Sequence, residues 1–543
     1  MGILSSRFHD FIKPRRHILL EPNMKLYESF LKPLLDAPES RYTHLPWNPR
    51  YQQTFSDLFE KGYLPEQTER PRNSCELNDS LLCLANITYT NKQDKTRFLL
   101  LRNYLDSMLE STWLHQYGFV RIIALVPTAH VDTLLPRSIS KRGRLQTLAE
   151  AVTSEVIEVT GDTNLPVSWT RRGLPVLQKS LDLALERTTA AGLQVPKGRE
   201  AKPLLLAPKP SKTDHGATHE YVKRPMHAWH NEYIQAMEQM DANGTADKNA
   251  DTHKRWIALR KRYIFESTQI KAAHEADYRQ ELIDGQSKRL REVLAGQKSF
   301  PTVKGAKKMV TTLNELTTER DQILSTLGTQ YLNHHYSAFL NERRAFGEPN
   351  GQNSPLLLWD KRPYEPLHVE PSEFTPKIPC SVLDIRPNPN SPILQAQREY
   401  RKSNEFMKYL SIVAAFRVLL RRLNTKGKQP IDETLRLLFV SRSMADLPGA
   451  IPSLAEIAIP KITTEAKEAE GWKSVRSNGK VWVGYDADCL SGTALQCLPS
   501  TVLWDTSVEW HRWCAENGMP NNVAKYLGGD NVVDLDEAYE GRG

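Results

Sequence analysis

The sequence predicts an α/β fold at its N-terminal end, built on a parallel sheet and followed by a large helical extension. Three apolar runs of strand length, at 17–20, 81–85 and 119–126, each end at a polar or proline residue. Helical spacing of apolar residues occupies the stretches between them, at about 25–34 and 97–117. Alternating strands and helices are typical of parallel sheets, whose ligands bind at the carboxyl ends of the strands.

Two of these strand ends carry polar side chains that suit a nucleotide. Glu21 follows the first run, and a carboxylate there can accept hydrogen bonds from both hydroxyls of a ribose. Asn86 follows the second run, and its amide can donate to and accept from an amine or a base edge. Tyr89, three residues later, can stack on a flat base. A strand-end acid is more often structural than functional, so both interpretations stay open for Glu21.

Composition limits the class of protein without deciding its function. The 543 residues correspond to about three or four domains, and 40% hydrophobic with 25% charged residues excludes fibrous and wholly disordered chains. The net charge of +8 permits nucleic-acid binding without requiring it. Six cysteines without a C-x-x-C pair indicate buried thiols in a reducing compartment rather than a disulfide scaffold or zinc site. We therefore expect no bound metal, and the absence of a long apolar run predicts no membrane span.

The remainder of the chain divides by composition. Prolines and basic residues alternate over 195–230, as in a linker or insertion. Helical patterns at about 250–296 and 305–345 predict a hairpin, with a partner-binding coiled coil as the less favoured alternative. The proline-rich stretch 347–392 predicts an extended connection. A helix is expected at about 392–423, and the cations at 417–428 either complement its C-terminus or contact phosphates.

Three motifs carry a resemblance to a known family. They are KPRRHILLEPN, which contains Glu21, LLCLANITY, which contains Asn86, and Lys141-Arg142-Gly143-Arg144-Leu145. Together they resemble the ribosomal RNA adenine dimethyltransferases and the related B-type mitochondrial transcription factors, most of all the fungal mitochondrial transcription initiation factors. The resemblance covers residues 2–160 well and the later segments more loosely.

The resemblance implies a Rossmann-like class I S-adenosylmethionine methyltransferase fold. Glu21 would bind the ribose of S-adenosyl-L-methionine, either as a working cofactor or in a relic pocket. Asn86 would hold its methionine end and the target amine, and Tyr89 would stack on a flipped adenine. The implied segments are a methyltransferase-like α/β domain (1–190), a basic proline-rich linker or insertion (191–248), a helical segment (249–346), a proline-rich connection with a helix (347–430) and a C-terminal region without an assigned role (431–543).

Several departures from the family pattern bear on activity. Gly2 would be the last residue of the glycine-rich cofactor loop, so we expect the methyltransferase fold to be N-terminally truncated in this sequence. Thr88 stands where the enzymes carry a proline that keeps the motif rigid. Residues 64–79 look like an inserted loop. Asp79 within it is a weak candidate for a third acidic contact and is more often a surface acid at such a place.

These features favour a non-enzymatic mitochondrial transcription initiation factor, located in the matrix, that binds promoter DNA and assists the mitochondrial RNA polymerase. The first alternative is an active rRNA adenine N6-dimethyltransferase acting on the mitochondrial small subunit, with Asn86 and Tyr89 as catalytic residues. The second is a structural component of a mitochondrial ribonucleoprotein that only retains the fold.

Overall fold

A computed structural model describes most of the chain, which separates into two compact units. The described residues are 2–88, 97–161, 172, 174–201, 228–243, 251–298, 302–347, 354–374, 377–465, 471–475 and 480–527. The first unit consists of Met1–Val131, Leu148–Thr160 and Pro371–Val413, and the second of Asp132–Thr147, Gly161–Glu370 and Ala414–Gly543. The N-terminal part of the first unit thus ends at residue 160, and the unit also includes the later segment 371–413. The sequence predicts one continuous domain that extends to residue 190.

Helices and strands alternate through the first 161 residues, as the apolar pattern predicts. In chain order they are α1 (Gly2–Ile12), β1 (His17–Leu20), α2 (Glu28–Leu35), β2 (Tyr42–Leu45), α3 (Gln52–Glu60), α4 (Pro65–Thr68), β3 (Leu77–Asn86), α5 (Arg97–Met108), β4 (Phe119–Pro127), α6 (Thr128–Leu134), α7 (Arg144–Val152) and β5 (Thr153–Gly161). The predicted strands at 17–20, 81–85 and 119–126 are confirmed as β1, β3 and β4.

Helices dominate the rest of the described chain. They and the short strands among them are α8 (Leu174–Ala190), α9 (Ala228–Asn243), α10 (Asp251–Leu294), α11 (Val303–Thr326), α12 (Thr329–Tyr331), α13 (Ser337–Phe346), β6 (Leu367–His368), β7 (Cys380–Pro387), α14 (Pro392–Lys402), α15 (Phe406–Lys426), α16 (Ile431–Leu438), α17 (Leu447–Ala450), α18 (Pro452–Ala455), β8 (Lys461–Thr463), β9 (Lys473–Ser474), β10 (Trp482–Gly484), α19 (Ser500–Glu516) and α20 (Val523–Tyr526). The helix expected at 392–423 is two helices, because the chain turns at Asn404, which has a positive φ of 60°.

The first unit contains two sheets rather than the single parallel sheet that the sequence predicts. β1 pairs in parallel with β2, from His17 opposite Tyr42 to Leu20 opposite Leu45. These two strands form a sheet of their own, separate from the sheet that contains β3 and β4. The sequence did not predict β2, because its four residues, Tyr-Thr-His-Leu, lack a continuous apolar run.

The larger sheet is mixed. Within the first unit its strands lie in the order β3-β4-β7-β5. β3 and β4 are parallel, as predicted, but β7 runs antiparallel to both β4 and β5. The prediction of an extended connection over 347–392 is therefore wrong for 380–387, because the only proline of this stretch is its last residue, Pro387, and the interior is free to pair. Arg121 of β4 donates to both carboxylate oxygens of Asp384 on β7, at 2.8 and 2.7 Å.

The predicted helical hairpin is confirmed in the second unit. α10 and α11 pack along each other, and Ile270, Ala273 and Ala276 of α10 share a buried cluster with Tyr336 and Phe339. The pattern predicted a continuous second helix to residue 345, but α11 ends at Thr326. A π-helical turn at Leu332–Tyr336 then leads into α13.

A charged cluster lies in the interior of the second unit. Arg172 is 1% exposed, and its guanidinium donates to Asp360 at 2.7 Å and to Glu342 at 2.8 Å. Ser180 also donates to Asp360, at 2.6 Å, and Ser138 donates to Glu342. Two carboxylates and one arginine are thus held together by hydrogen bonds away from water, which makes the cluster sensitive to the loss of any member.

The cysteines and the tryptophans have structural positions. All six cysteines are free thiols, and five of them are buried, as the composition predicts. Trp504 and Trp510 are buried within α19, in agreement with a packing role.

Within the described ranges, no helix is both long and apolar enough to cross a membrane.

Candidate functional site

Glu21 lies directly after β1 and continues its pairing with β2. Its backbone N–H donates to the carbonyl of Leu45 at 3.1 Å, and its own carbonyl accepts from Nε2 of His44 at 2.8 Å. The side chain is largely buried, and Oε1 accepts from the backbone N–H of Asn23 at 2.8 Å. Oε2 has no hydrogen-bond partner among the described residues. The backbone therefore holds this carboxylate in place and leaves one oxygen able to accept from a ligand.

Three stacked rings hold α1 against β1 and β2. The ring of Tyr42 lies 4.4 Å from that of His9 and 4.7 Å from that of His17, measured between centroids. The Nδ1 atoms of the two histidines are 3.3 Å apart, so one of them must be an unprotonated acceptor. Burial, reinforced by the charge of His9, lowers the pKa of His17 to about 4. The stack fixes the strand that carries Glu21.

Asn86 is the last residue of β3, where its backbone lies opposite Leu125 of β4. Its side-chain oxygen Oδ1 accepts two hydrogen bonds, from the backbone N–H of Thr88 at 3.0 Å and from the Thr88 hydroxyl at 2.6 Å. Because an amide oxygen has two lone pairs, this turn satisfies it completely. The backbone N–H can only donate, so the atom facing it is the oxygen, and the Nδ2 amine of Asn86 is left as a donor.

The other predicted site residues do not join these two. Tyr89 lies outside the described residues, and Gly2 is the first residue of α1. Asp79 lies near the start of β3, seven residues or roughly 23 Å before Asn86. Its side chain is 82% exposed and pairs with Arg70 at 3.2 Å, so it is a surface acid. Among the described residues no hydrogen bond joins Glu21 to Asn86, and their strands belong to separate sheets.

The Lys141–Leu145 motif has a structural explanation within the second unit. Asn424 Oδ1 accepts from the backbone N–H of Arg144 at 3.0 Å, at the start of α7. A Cβ at Gly143 would lie 2.6 Å from the same oxygen, which explains why a glycine precedes the helix. Arg142 is buried and donates to the carbonyl of Gln496 at 2.9 Å. The motif therefore anchors the start of a helix and presents neither arginine openly to a ligand.

Arg422, in the basic segment at 417–428, is likewise structural. It is 6% exposed, and its guanidinium donates to the Thr434 hydroxyl at 3.0 Å and to the carbonyl of Leu527 at 3.2 Å. Burial lowers its pKa, with Glu433 opposing that effect. Lys428, by contrast, is exposed and lines a cavity. Arg422 therefore has a structural role, and a phosphate contact in this segment stays a prediction for Lys428.

Glu21 fits its implied role at S-adenosylmethionine better than Asn86 does. Glu21 presents a fixed carboxylate oxygen at a strand end, which suits a ribose hydroxyl. Asn86 does not fit its implied role as it stands, because Thr88 occupies both lone pairs of the oxygen that would accept from a target amine. The signal for this arrangement is the Asn-x-Thr spacing, which is typical of a local turn closed by the asparagine side chain.

Comparison with known proteins gives two fungal relatives. One, named Mitochondrial transcription factor 1, is from Saccharomyces cerevisiae and is 27% identical over 167 residues, which are 30% of this chain and 46% of the relative. The protein of the same name from Saccharomyces paradoxus is 26% identical over 167 residues, which are again 30% of this chain and 46% of the relative. This chain is a distant relative of fungal mitochondrial transcription factor 1.

The relationship confirms the resemblance drawn from the motifs, at a distance. The match spans about half the length of these fungal relatives. No protein-family profile matches the chain, and no solved structure matches it. The fold is a mixed α/β arrangement compatible with a Rossmann-like architecture, and the methyltransferase fold itself stays a prediction.

Proposed function

We propose that this chain is a mitochondrial transcription initiation factor that works in the matrix, binds promoter DNA and assists the mitochondrial RNA polymerase without transferring methyl groups. The hydrogen bonding of Asn86 to Thr88 carries the non-enzymatic part of the proposal. The names of the two fungal relatives support a role in mitochondrial transcription. Both lines agree with the departure from the enzymes' pattern at Thr88.

The chemistry of adenine methylation explains the weight given to Asn86. The target amine must be held by an acceptor while its nitrogen points at the methyl donor, and this alignment supplies much of the rate. An Asn86 oxygen already filled by two donors cannot accept from the amine, and its Nδ2 only donates. A proline at position 88 would have neither the N–H nor the hydroxyl. Thr88 thus replaces an available acceptor with a closed turn.

A basic and aromatic surface on α10 supports contact with an opened DNA strand. Residues 251–271 contain six lysines and arginines against two acids. Lys254 and Lys261 are exposed, and Phe265 on the same helix is 57% exposed. Single-stranded nucleic acid is bound by cations that follow the backbone and by aromatic rings that stack on bases. This surface therefore suits a melted promoter strand.

The test compares initiation and methylation with the same protein preparations. We expect full-length protein to stimulate promoter-dependent RNA synthesis by the mitochondrial RNA polymerase, and the Asn86→Ala variant to stimulate it equally. Neither protein should transfer labelled methyl groups from S-adenosylmethionine to small-subunit rRNA above a blank. No stimulation of initiation by the folded wild-type protein would contradict the proposal, as would methylation that the Asn86→Ala variant loses.

An rRNA adenine N6-dimethyltransferase is the second candidate, and one observation favours it. The Glu21 carboxylate keeps an oxygen without a partner at the end of β1, as a ribose contact requires. Under this alternative, Glu21→Gln weakens S-adenosylmethionine binding and lowers methylation together. Under the preferred function, Glu21→Gln changes neither initiation nor methylation, and cofactor binding alone decides nothing because a relic pocket can still bind.

A further inference from the structure

The second unit contains a cavity of about 450 Å³ that has no part in the proposed function. This volume lies within the usual range for small-molecule sites, roughly 300–1,000 Å³. The walls come from the α10–α11 hairpin, the π-helical turn before α13, α13 itself and the loops near residues 430, 459 and 491. Its apolar side is formed in part by Leu340 and Ile459. The cavity is therefore large enough for one mononucleotide and has an apolar surface for a base.

Cations line this cavity, and no carboxylate is among its lining residues. Arg320, Arg344 and Lys428 contribute the positive side chains. Arg344 is held from behind by Asp284, at 3.2 Å, and Arg320 pairs with its neighbour Asp321. Lys428 is exposed to the cavity and has no carboxylate partner among the described residues. One uncompensated ammonium group, backed by two oriented guanidinium groups, favours an anion.

Two largely buried polar side chains point to the same conclusion. Tyr336 is 8% exposed and Asn341 is 9% exposed, and both line the cavity. Neither the Tyr336 hydroxyl nor the Asn341 side-chain amide has a hydrogen-bond partner among the described residues. Both polar groups line the cavity without a partner in the described part of the chain, so they are available to hydrogen-bond a ligand or ordered water there. The Tyr336 hydroxyl is protonated at neutral pH, and burial raises its pKa further, to about 12.

The backbone at this wall is unusual as well. Tyr336 ends the π-helical turn Leu332–Tyr336, and the Ser337 hydroxyl donates to the carbonyl of Leu332 at 3.1 Å. Such turns are rare and occur frequently at functional sites, because the wider turn displaces a side chain from the regular helical position. Here the displaced turn places Tyr336 in the cavity wall beside α13.

We propose that this cavity binds a nucleoside phosphate, with Lys428 and Arg320 on the phosphate, Tyr336 and Asn341 as hydrogen-bonding groups, and the apolar wall against the base. A free mononucleotide and one nucleotide of a single strand share this chemistry. The inference does not rest on the proposed function, because binding is measured without a promoter or a polymerase.

The test is equilibrium binding of three probes to the full-length protein: inorganic phosphate, adenosine monophosphate and a ten-nucleotide single strand. We expect saturable binding of a nucleotide probe, tighter than that of phosphate. Lys428→Gln should weaken it about tenfold and Tyr336→Phe about fivefold, as expected for a charge-assisted and a neutral hydrogen bond. Lys307→Gln is the matched control, since Lys307 is an exposed lysine of α11, 13 residues or roughly 20 Å along the helix from Arg320.

Each outcome decides the inference. If the cavity variants bind adenosine monophosphate more weakly than the wild-type protein does, the ligand is a free nucleotide. If only their affinity for the single strand falls, the ligand is a nucleotide within a nucleic acid. Equal affinity of wild-type, Lys428→Gln and Tyr336→Phe proteins for every probe overturns the proposal, as does the absence of saturable nucleotide binding. Circular dichroism and a thermal unfolding curve for each variant show whether a lost affinity reflects the site or the fold.

Discussion

The side-chain oxygen of Asn86 accepts hydrogen bonds from both the backbone N–H and the hydroxyl of Thr88, at 3.0 and 2.6 Å. This closes a local turn at the carboxyl end of β3, in a place where a ligand contact was predicted. Thr88 is 8% exposed, so water does not compete well for these bonds. The arrangement links the sequence departure at position 88 to a specific loss of hydrogen-bonding capacity at Asn86.

Replacing Thr88 with valine tests the strength of this turn. Valine keeps the shape of threonine but removes the hydroxyl donor, so we expect the free energy of unfolding to fall by about 1 kcal/mol. In an Asn86→Ala background the same replacement should cost much less, since the acceptor is already gone. Urea denaturation of the four proteins measures the coupling. Equal costs in both backgrounds would show that the hydroxyl contributes through packing and not through Asn86.

A second coupling is expected between Gly143 and Asn424 in the second unit. A Cβ at position 143 would meet Asn424 Oδ1 at 2.6 Å, so Gly143→Ala should displace the Asn424 side chain and break its bond to the Arg144 N–H. Loss of a helix N-terminal cap costs about 1 kcal/mol. Asn424→Ala removes both the clash and the cap, so Gly143→Ala should then be nearly neutral. Chemical denaturation of the single and double variants checks this, and additive losses would refute the shared cause.

The positions of several helices and strands follow from local sequence patterns. The pairing of distant strands in the sheet does not. Apolar runs of strand length identify β1, β3 and β4, and apolar spacing identifies the α10–α11 hairpin. The sequence does not predict β7 because proline richness dominates its surroundings, although four of the six residues from Cys380 to Ile385 are apolar and the two polar ones, Ser381 and Asp384, are buried. Its partners β4 and β5 are more than 200 residues away in sequence, and no local signal reports such a contact.

The positions of Glu21 and Asn86 at strand ends were predictable, and their hydrogen bonding was not. Strand ends locate Glu21 and Asn86 correctly in the structure, because apolar strands must end where polar side chains begin. Which lone pairs remain available depends on donors two residues away: the backbone N–H of Asn23, and the backbone N–H and hydroxyl of Thr88. The cavity in the second unit could not be predicted, since Arg320, Tyr336 and Lys428 meet only through tertiary packing.

His115 should make the stability of the protein depend on pH. Its Nδ1 accepts from the Val120 N–H at 3.0 Å, and its Nε2 donates to the Tyr104 carbonyl at 3.0 Å, so the folded ring is neutral. Burial lowers its pKa to about 3, against about 6.5 in the unfolded chain. Below pH 6.5 the unfolded chain therefore binds a proton that the folded protein does not. Stability contributed by this residue is present above pH 6.5 and is lost as the pH falls towards 3.

The expected loss in the free energy of unfolding from His115 is about 2 kcal/mol between pH 7 and pH 5. His115→Gln cannot titrate, so its stability should decline less over the same interval, whatever its stability at pH 7. Urea denaturation at several pH values gives the two slopes. His17, whose pKa is also lowered, is present in both proteins and cancels in the comparison. Identical slopes would mean that His115 is not buried and neutral.

Removal of Arg172 should cost more than any of the changes above. Its guanidinium is the counter-charge for Glu342 and Asp360, whose side chains are at most 1% exposed. Burial raises the pKa of Glu342, and the charge of Arg172 opposes that rise. Arg172→Met would leave two buried carboxylates without the cation that pairs with them, for which we expect a loss of about 3–5 kcal/mol. Arg172→Lys keeps the charge but not the fork that reaches both acids, so its loss should be smaller.

An exposed ion pair supplies the control for this experiment. Lys32 and Glu28 lie 3.7 Å apart on α2, with side chains 62% and 56% exposed. Lys32→Met removes the same charge, but water solvates the remaining carboxylate, so its cost should stay below about 0.5 kcal/mol. Thermal and urea unfolding of the Arg172 and Lys32 variants gives the contrast. A loss of similar size in Arg172→Met and Lys32→Met would show that burial does not set the cost, and that the interior of the second unit admits water to its carboxylates.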